Sequence, residues 1–111
     1  MNEAWEPVVA WFDGNVNRQI TIRKEEDGDI DEVQLYLDRI QQVHADTIDG
    51  YTAKDRLLLI GSGTISAASS QEPIPGGVYE VPLTGSEITQ QSESGLVLSS
   101  DRCKYTVHLH S

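Results

Sequence analysis

Apolar and polar residues alternate with a period of two along several stretches of this chain, and one stretch between them carries a longer period. Residues 5 to 24 read as a β-hairpin. Glu6-Pro7-Val8-Val9-Ala10-Trp11-Phe12 is rich in strand formers, and Asp13-Gly14-Asn15 supplies residues that tolerate positive φ. On the return strand, Val16 to Lys24, Val16, Ile20 and Ile22 share one face, and Gln19, Thr21 and Arg23 share the other. Pro7 cannot donate to a ladder, so this strand begins at an edge. Trp11 and Phe12 then fall on opposite faces.

The longer period lies between Asp31 and Ala45. Val33, Leu37, Ile40 and His44 follow the spacing of one helical face, with Tyr36 and Val43 beside it. Asp31 suits the N-cap, and Gln34 three residues on completes a capping-box-like pair. A strand would use Val33, Leu35 and Leu37, but its phase breaks at Arg39 and Gln41. The pattern therefore predicts a helix over about 31–45.

Asp46 to Tyr51 is a turn, sharpest at Asp49-Gly50. The apolar run in Arg56-Leu57-Leu58-Leu59-Ile60 is short, as a strand buried on both faces would be, and Thr64-Ile65-Ser66 extends it past a glycine bulge at Gly61 or Gly63. Residues 66–77 (SAASSQEPIPGG) predict a flexible loop. Val78 to Leu83 is a strand that Pro82 places at an edge, and residues 84–95 form a polar linker anchored by Ile88. Leu96-Val97-Leu98, a turn at Ser99 to Arg102, and Cys103 to His110 make a second hairpin. The expected fold is α+β in one domain, 1–111: a mostly antiparallel sheet of about five or six strands, with the 31–45 helix on one face. Exposed edges beside Pro7 or Pro82, and a sparse aromatic core, favour a homodimer.

Charge changes the picture more than composition does. Eighteen acidic residues stand against 8 basic ones, a net of −10. With no surplus of cations to release phosphate counterions, direct nucleic-acid binding is disfavoured, and the field favours a protein with a basic surface. No apolar run, Leu57 to Ile60 included, approaches a membrane span, and the N-terminus lacks the layout of a secretory signal. No membrane partner and a cytoplasmic location are expected. Cys103 is the single cysteine and reads as a buried thiol, so disulfides within the chain and zinc–cysteine clusters are excluded.

Candidate chemistry concentrates at Glu25-Glu26-Asp27-Gly28-Asp29-Ile30-Asp31-Glu32. Aligned as a calcium loop, Glu25, Asp27, Gly28 and Asp31 occupy the third, fifth, sixth and ninth positions, but Arg23 stands at the first and Gln34 at the twelfth. Entry ligand and bidentate clamp are both absent. The carboxylates suit the positive end of a helix dipole, or one edge of an interaction face made of Asp27, Asp29, Asp31, Glu32 and Asp38, supplemented by Asp46 and Asp49. His108 and His110 share one face of the last strand and would hold a metal only with a converging third ligand. Gly61-Ser62-Gly63 lacks the spacing and lysine of a phosphate loop. No nucleophile, acid–base set or cofactor motif is legible, which argues against an enzyme. The expectation is a small acidic interaction protein that inhibits or neutralises a basic partner, as immunity proteins and phage anti-defence proteins do. The alternatives are a small-ligand- or metal-binding module, and a structural or assembly protein of a phage or complex.

Overall fold

A computed structural model describes residues 6–45, 54–67, 70–83, 86–100 and 103–109. One helix, α1 (Glu6–Asp13), precedes eight strands: β1 (Arg18–Glu26), β2 (Asp29–Ala45), β3 (Lys54–Ala67), β4 (Ser70–Pro73), β5 (Val78–Pro82), β6 (Glu87–Gln91), β7 (Gly95–Ser99) and β8 (Cys103–Leu109). All belong to one antiparallel sheet in the order β4-β3-β2-β1-β8-β7-β6, with β5 paired to β3 as well. The expected α+β class holds in its coarse form. The helix is elsewhere, and the sheet has eight strands among the described residues rather than five or six.

Residues 6–12, expected as a strand, form α1. Pro7 sits in the first turn, where its missing N–H costs no helical hydrogen bond. Val8, Trp11 and Phe12 then fall on one helical face, and all three are buried. The rings of Trp11 and Phe12 meet edge to face, with centroids 5.2 Å apart. Gly14, read from sequence as a hairpin turn, instead ends the helix: its N–H donates to the Ala10 carbonyl, and the Asn15 amide caps the Trp11 carbonyl at 2.7 Å.

Residues 31–45, expected as a helix, lie in strand β2. Val33, Leu35 and Leu37 are fully buried while Glu32, Gln34 and Tyr36 are exposed, which is strand alternation. The phase break at Arg39 has a local cause. Leu37 pairs with Gly61 and Arg39 with Ile60, so Asp38 is the extra residue of a β-bulge. Beyond it, Ile40 resumes the inward face opposite Leu59.

The bulge serves a bend. A straight strand of the 17 residues in β2 would run roughly 55 Å, whereas the longest axis of the molecule is 40 Å. Gly61 and Gly63 sit where β3 must follow that bend: a Cβ at either would drive into the backbone of β2, at the carbonyl oxygens of Tyr36 and Gln34. The Gly-Ser-Gly stretch is therefore a close-approach site in mid-strand, and the bulge predicted beside it belongs to the opposite strand. The stretch 66–77, expected as a loop, contains the end of β3, strand β4 on its edge and a 3₁₀ turn at Pro75–Gly77. Likewise β6 occupies part of the expected 84–95 linker.

One face of the curved sheet and α1 share a single core. Phe12 from the helix, Leu59 and Val81 from one limb of the sheet, and Leu98 and Val107 from the other are all buried in it. Asn17, in the left-handed region at φ 70°, joins helix to sheet by donating to the Leu37 carbonyl at 2.7 Å. No helix among the described residues is long and apolar enough to cross a membrane.

Candidate partner-binding site

The acidic stretch is the tip of the β1–β2 hairpin. Glu26 pairs with Asp29, leaving a two-residue turn at Asp27-Gly28 whose φ values are 50° and 86°. Positive φ at both positions is the geometry that matches the twist of the flanking strands, and Asp-Gly is a sequence suited to it. The stretch therefore caps no helix.

Strand alternation divides its charges between two faces. Lys24, Glu26, Asp29 and Asp31 continue the concave face of Ile22 and Val33, whereas Arg23, Glu25, Ile30 and Glu32 lie on the convex face. The two cations here are already engaged. Lys24 Nζ stands 3.3 Å from Glu26 Oε1, and Arg23 Nε stands 3.5 Å from Glu25 Oε1. Among the described residues no ion pair holds Asp27, Asp29, Asp31 or Glu32. Ile30, on the convex side of the tip, is 46% exposed, the most exposed large apolar residue described.

Behind the tip lies a polar cluster on the concave face. The Lys24 ammonium stands 5.9 Å from the centroid of the Tyr105 ring, close enough for a cation–π contact. Burial alone would lower the Lys24 pKa. The hydrogen bond to Glu26 and the charges of Tyr79, Glu26 and Cys103 outweigh it, holding the group above its usual value. Burial pushes the Tyr105 phenol up to about 12, with Cys103 and Glu26 adding to the shift. It raises Tyr79 further, with Tyr105 again contributing. That coupling reports on shape, because β3, β2 and β1 separate β5 from β8 in the sheet order. In a flat sheet the two tyrosines would stand roughly 19 Å apart. The sheet curls enough to bring the two phenols within electrostatic range of one another. Cys103, half-buried beside them, is kept protonated by burial and by Glu26, which makes it a poor nucleophile.

The five carboxylates expected to share one face do not all converge. Asp27 sits at the turn, Asp29 and Asp31 lie on the concave side, and Glu32 lies on the convex side. Asp38, on the bulge, is roughly 20 Å farther along β2. Asp46 and Asp49 lie outside the described residues. The calcium-loop alignment fails on the same grounds, since Glu25 and Asp31 point to opposite faces. His108 is exposed on the convex side of β8 opposite Thr21; His110 lies outside the described residues, as does the side chain of His44. No group of three or more His, Cys, Asp or Glu placed to hold a metal occurs among the described residues.

Three participants were not legible as such: Lys24, Tyr105 and Ile30. The signal that could have found them is Asp27-Gly28, which as a hairpin turn fixes the face of every flanking residue.

Two comparisons place the chain among known proteins. The family described as YmzB-like protein matches residues 1–111. The uncharacterized protein YmzB of Bacillus subtilis (strain 168) is 32% identical over 105 residues, covering 89% of this chain and 89% of that relative. No solved structure matches.

Proposed function

The chain belongs to the YmzB-like protein family, and we propose that it is a small acidic interaction protein whose β1–β2 hairpin docks on a partner with a basic surface and neutralises it. The observation that carries this reading is the charge excess at the tip. Residues 23–32 hold six carboxylates and two cations, and both cations are tied to Glu25 and Glu26. The remaining carboxylates are held on a tight turn and on the paired strand beside it, so little backbone conformational entropy is lost when they engage a partner. Exposed Ile30 among them supplies an apolar contact that a charge pattern alone would lack. A groove built to hold a nucleic-acid backbone is the kind of surface into which such an acidic tip, charged on both faces, fits. Inhibition of a nuclease-like toxin or of a defence enzyme is the biological setting that fits it.

The reading is tested with a lysine-rich polypeptide as probe and backbone NMR shifts as readout. Amides of residues 25–32 are expected to move at low salt, and the binding to fade between about 50 and 500 mM salt. The combined variant Asp27→Asn, Asp29→Asn, Asp31→Asn, Glu32→Gln should bind about tenfold more weakly, whereas Asp38→Asn alone should change little. If the combined variant binds like the wild type at low salt, the hairpin is not the docking element.

A further inference from the structure

We infer that the free edge of β6 is a second docking surface, which accepts an extended peptide segment carrying a basic residue at each end. Among the described residues β6 has one sheet neighbour, β7, and so presents an unpaired edge. The other outer strands are blunted: β4 ends in Pro73, and β5 carries Pro82 and a Glu80 engaged by Arg56 at 3.6 Å. Strand β6, Glu-Ile-Thr-Gln-Gln, has no proline and one charge.

The pairing pattern shows where a new strand would attach. Ser92 donates to the Gly95 carbonyl at 2.8 Å, so this is a hydrogen-bonded pair. The next pair, Gln91 with Leu96, is then the non-bonded kind, and the Gln91 N–H and C=O point away from β7. The register shift between Ile88 and Gln90 confines a new ladder to the Gln90–Ser92 end. That end is anchored, because Trp11 Nε1 of α1 donates to the Ser92 carbonyl at 2.9 Å.

A hollow of about 530 Å³ opens beside the same end. Gln90, Ser92, Val97, Thr106 and His108 surround it and Gly95 contributes no side chain, so a peptide side chain has room to enter. The hollow contains no Asp, Glu, Lys or Arg, although 23% of the chain is charged. Exposed Glu87 begins the strand and exposed Glu93 lies in the turn just beyond its other end. Neutral in the middle and acidic at both ends, the edge complements a segment of uncharged strand formers flanked by Lys or Arg. Adding a strand to a sheet edge, with a side pocket for specificity, is an established mode of peptide recognition.

The probe is a short peptide of alternating threonine and valine with lysine at each end; a glutamate-ended peptide is the control. The lysine peptide should shift the amides of Gln90 to Ser92 and newly protect that of Gln91, and the control should do neither. Gln91→Pro removes the outward donor without touching a β7 hydrogen bond and should abolish binding. Glu87→Gln with Glu93→Gln should weaken it several-fold, while the combined hairpin variant described above should bind as the wild type does. Unchanged binding to a folded Gln91→Pro protein, or shifts confined to residues 25–32, overturns the β6 assignment and leaves the hairpin reading standing. Loss of the hairpin's own binding, with β6 protection retained, has the opposite meaning.

Discussion

Gly61 faces Leu37 across the β2–β3 ladder so closely that a methyl group on the glycine would strike the carbonyl oxygen of Tyr36. Gly63 stands in the same relation to Gln34. Both obstacles are backbone and cannot rotate away. Gly61→Ala and Gly63→Ala should each destabilise the fold by about 2–4 kcal/mol, measured by urea unfolding, since the bend in both strands must open to admit the side chain.

Gly28 offers the contrasting case. A Cβ there meets nothing within 4 Å, but φ is +86°. Gly28→Ala should therefore cost only the conformational penalty, about 1–2 kcal/mol, in the same measurement. Equal costs at Gly28 and Gly61 would contradict the close approach at Gly61.

The tyrosine–lysine cluster predicts alkaline sensitivity. Tyr105 titrates near about 10 when unfolded and near about 12 when folded. A raised folded pKa means that the folded state holds the proton more tightly. Its contribution is complete below pH 10 and is lost as pH rises through the folded value. Tyr79 and Lys24 are also raised, so they act in the same direction. Stability should fall above pH 10, and Tyr105→Phe should flatten that fall by roughly 2 kcal/mol at most, read from denaturation midpoints across pH 8–12.

Trp11 separates packing from hydrogen bonding. Trp11→Phe retains a buried ring but removes the bond to the carbonyl of exposed Ser92, which should cost about 0.5–1.5 kcal/mol and loosen the β6–β7 turn in hydrogen exchange. Phe12→Ala removes fully buried volume instead and should cost about 3–5 kcal/mol.

Glu26 and Asp29 lie directly opposite one another, two like charges beside the turn. Asp29→Lys should raise the thermal midpoint slightly, by on the order of 1–3 °C, with the gain shrinking as salt screens it. The same change should weaken the probe binding proposed for the hairpin. Stabilisation coupled to lost binding is the pattern of a site retained for function.

Residues 31–45 show how far local pattern reaches. Val33, Leu37 and Ile40 satisfy a helical period, and Val33, Leu35 and Leu37 satisfy a strand period. The break at Arg39 favoured helix only because a bulge residue, Asp38, shifts the phase without ending the strand. Nothing in a one-dimensional period separates a bulge from the end of a strand; the partner strand does, by pairing Leu37 and Arg39 with consecutive residues of β3. Glu6 to Phe12 failed in the opposite direction, since its strand formers also place Val8, Trp11 and Phe12 on one helical face, and burial against the sheet decided between them.

The sequence by itself determined the acidity, the antiparallel β-rich class, the strands around residues 18–24, 56–60 and 78–82 and the last hairpin, because each rests on short-range alternation and turn residues. Tertiary structure alone decided that Tyr79 comes within electrostatic range of Tyr105, and why Gly61 and Gly63 must be glycine. Those depend on the curvature of the whole sheet, and curvature is set by bulges and close approaches between strands that are distant in sequence.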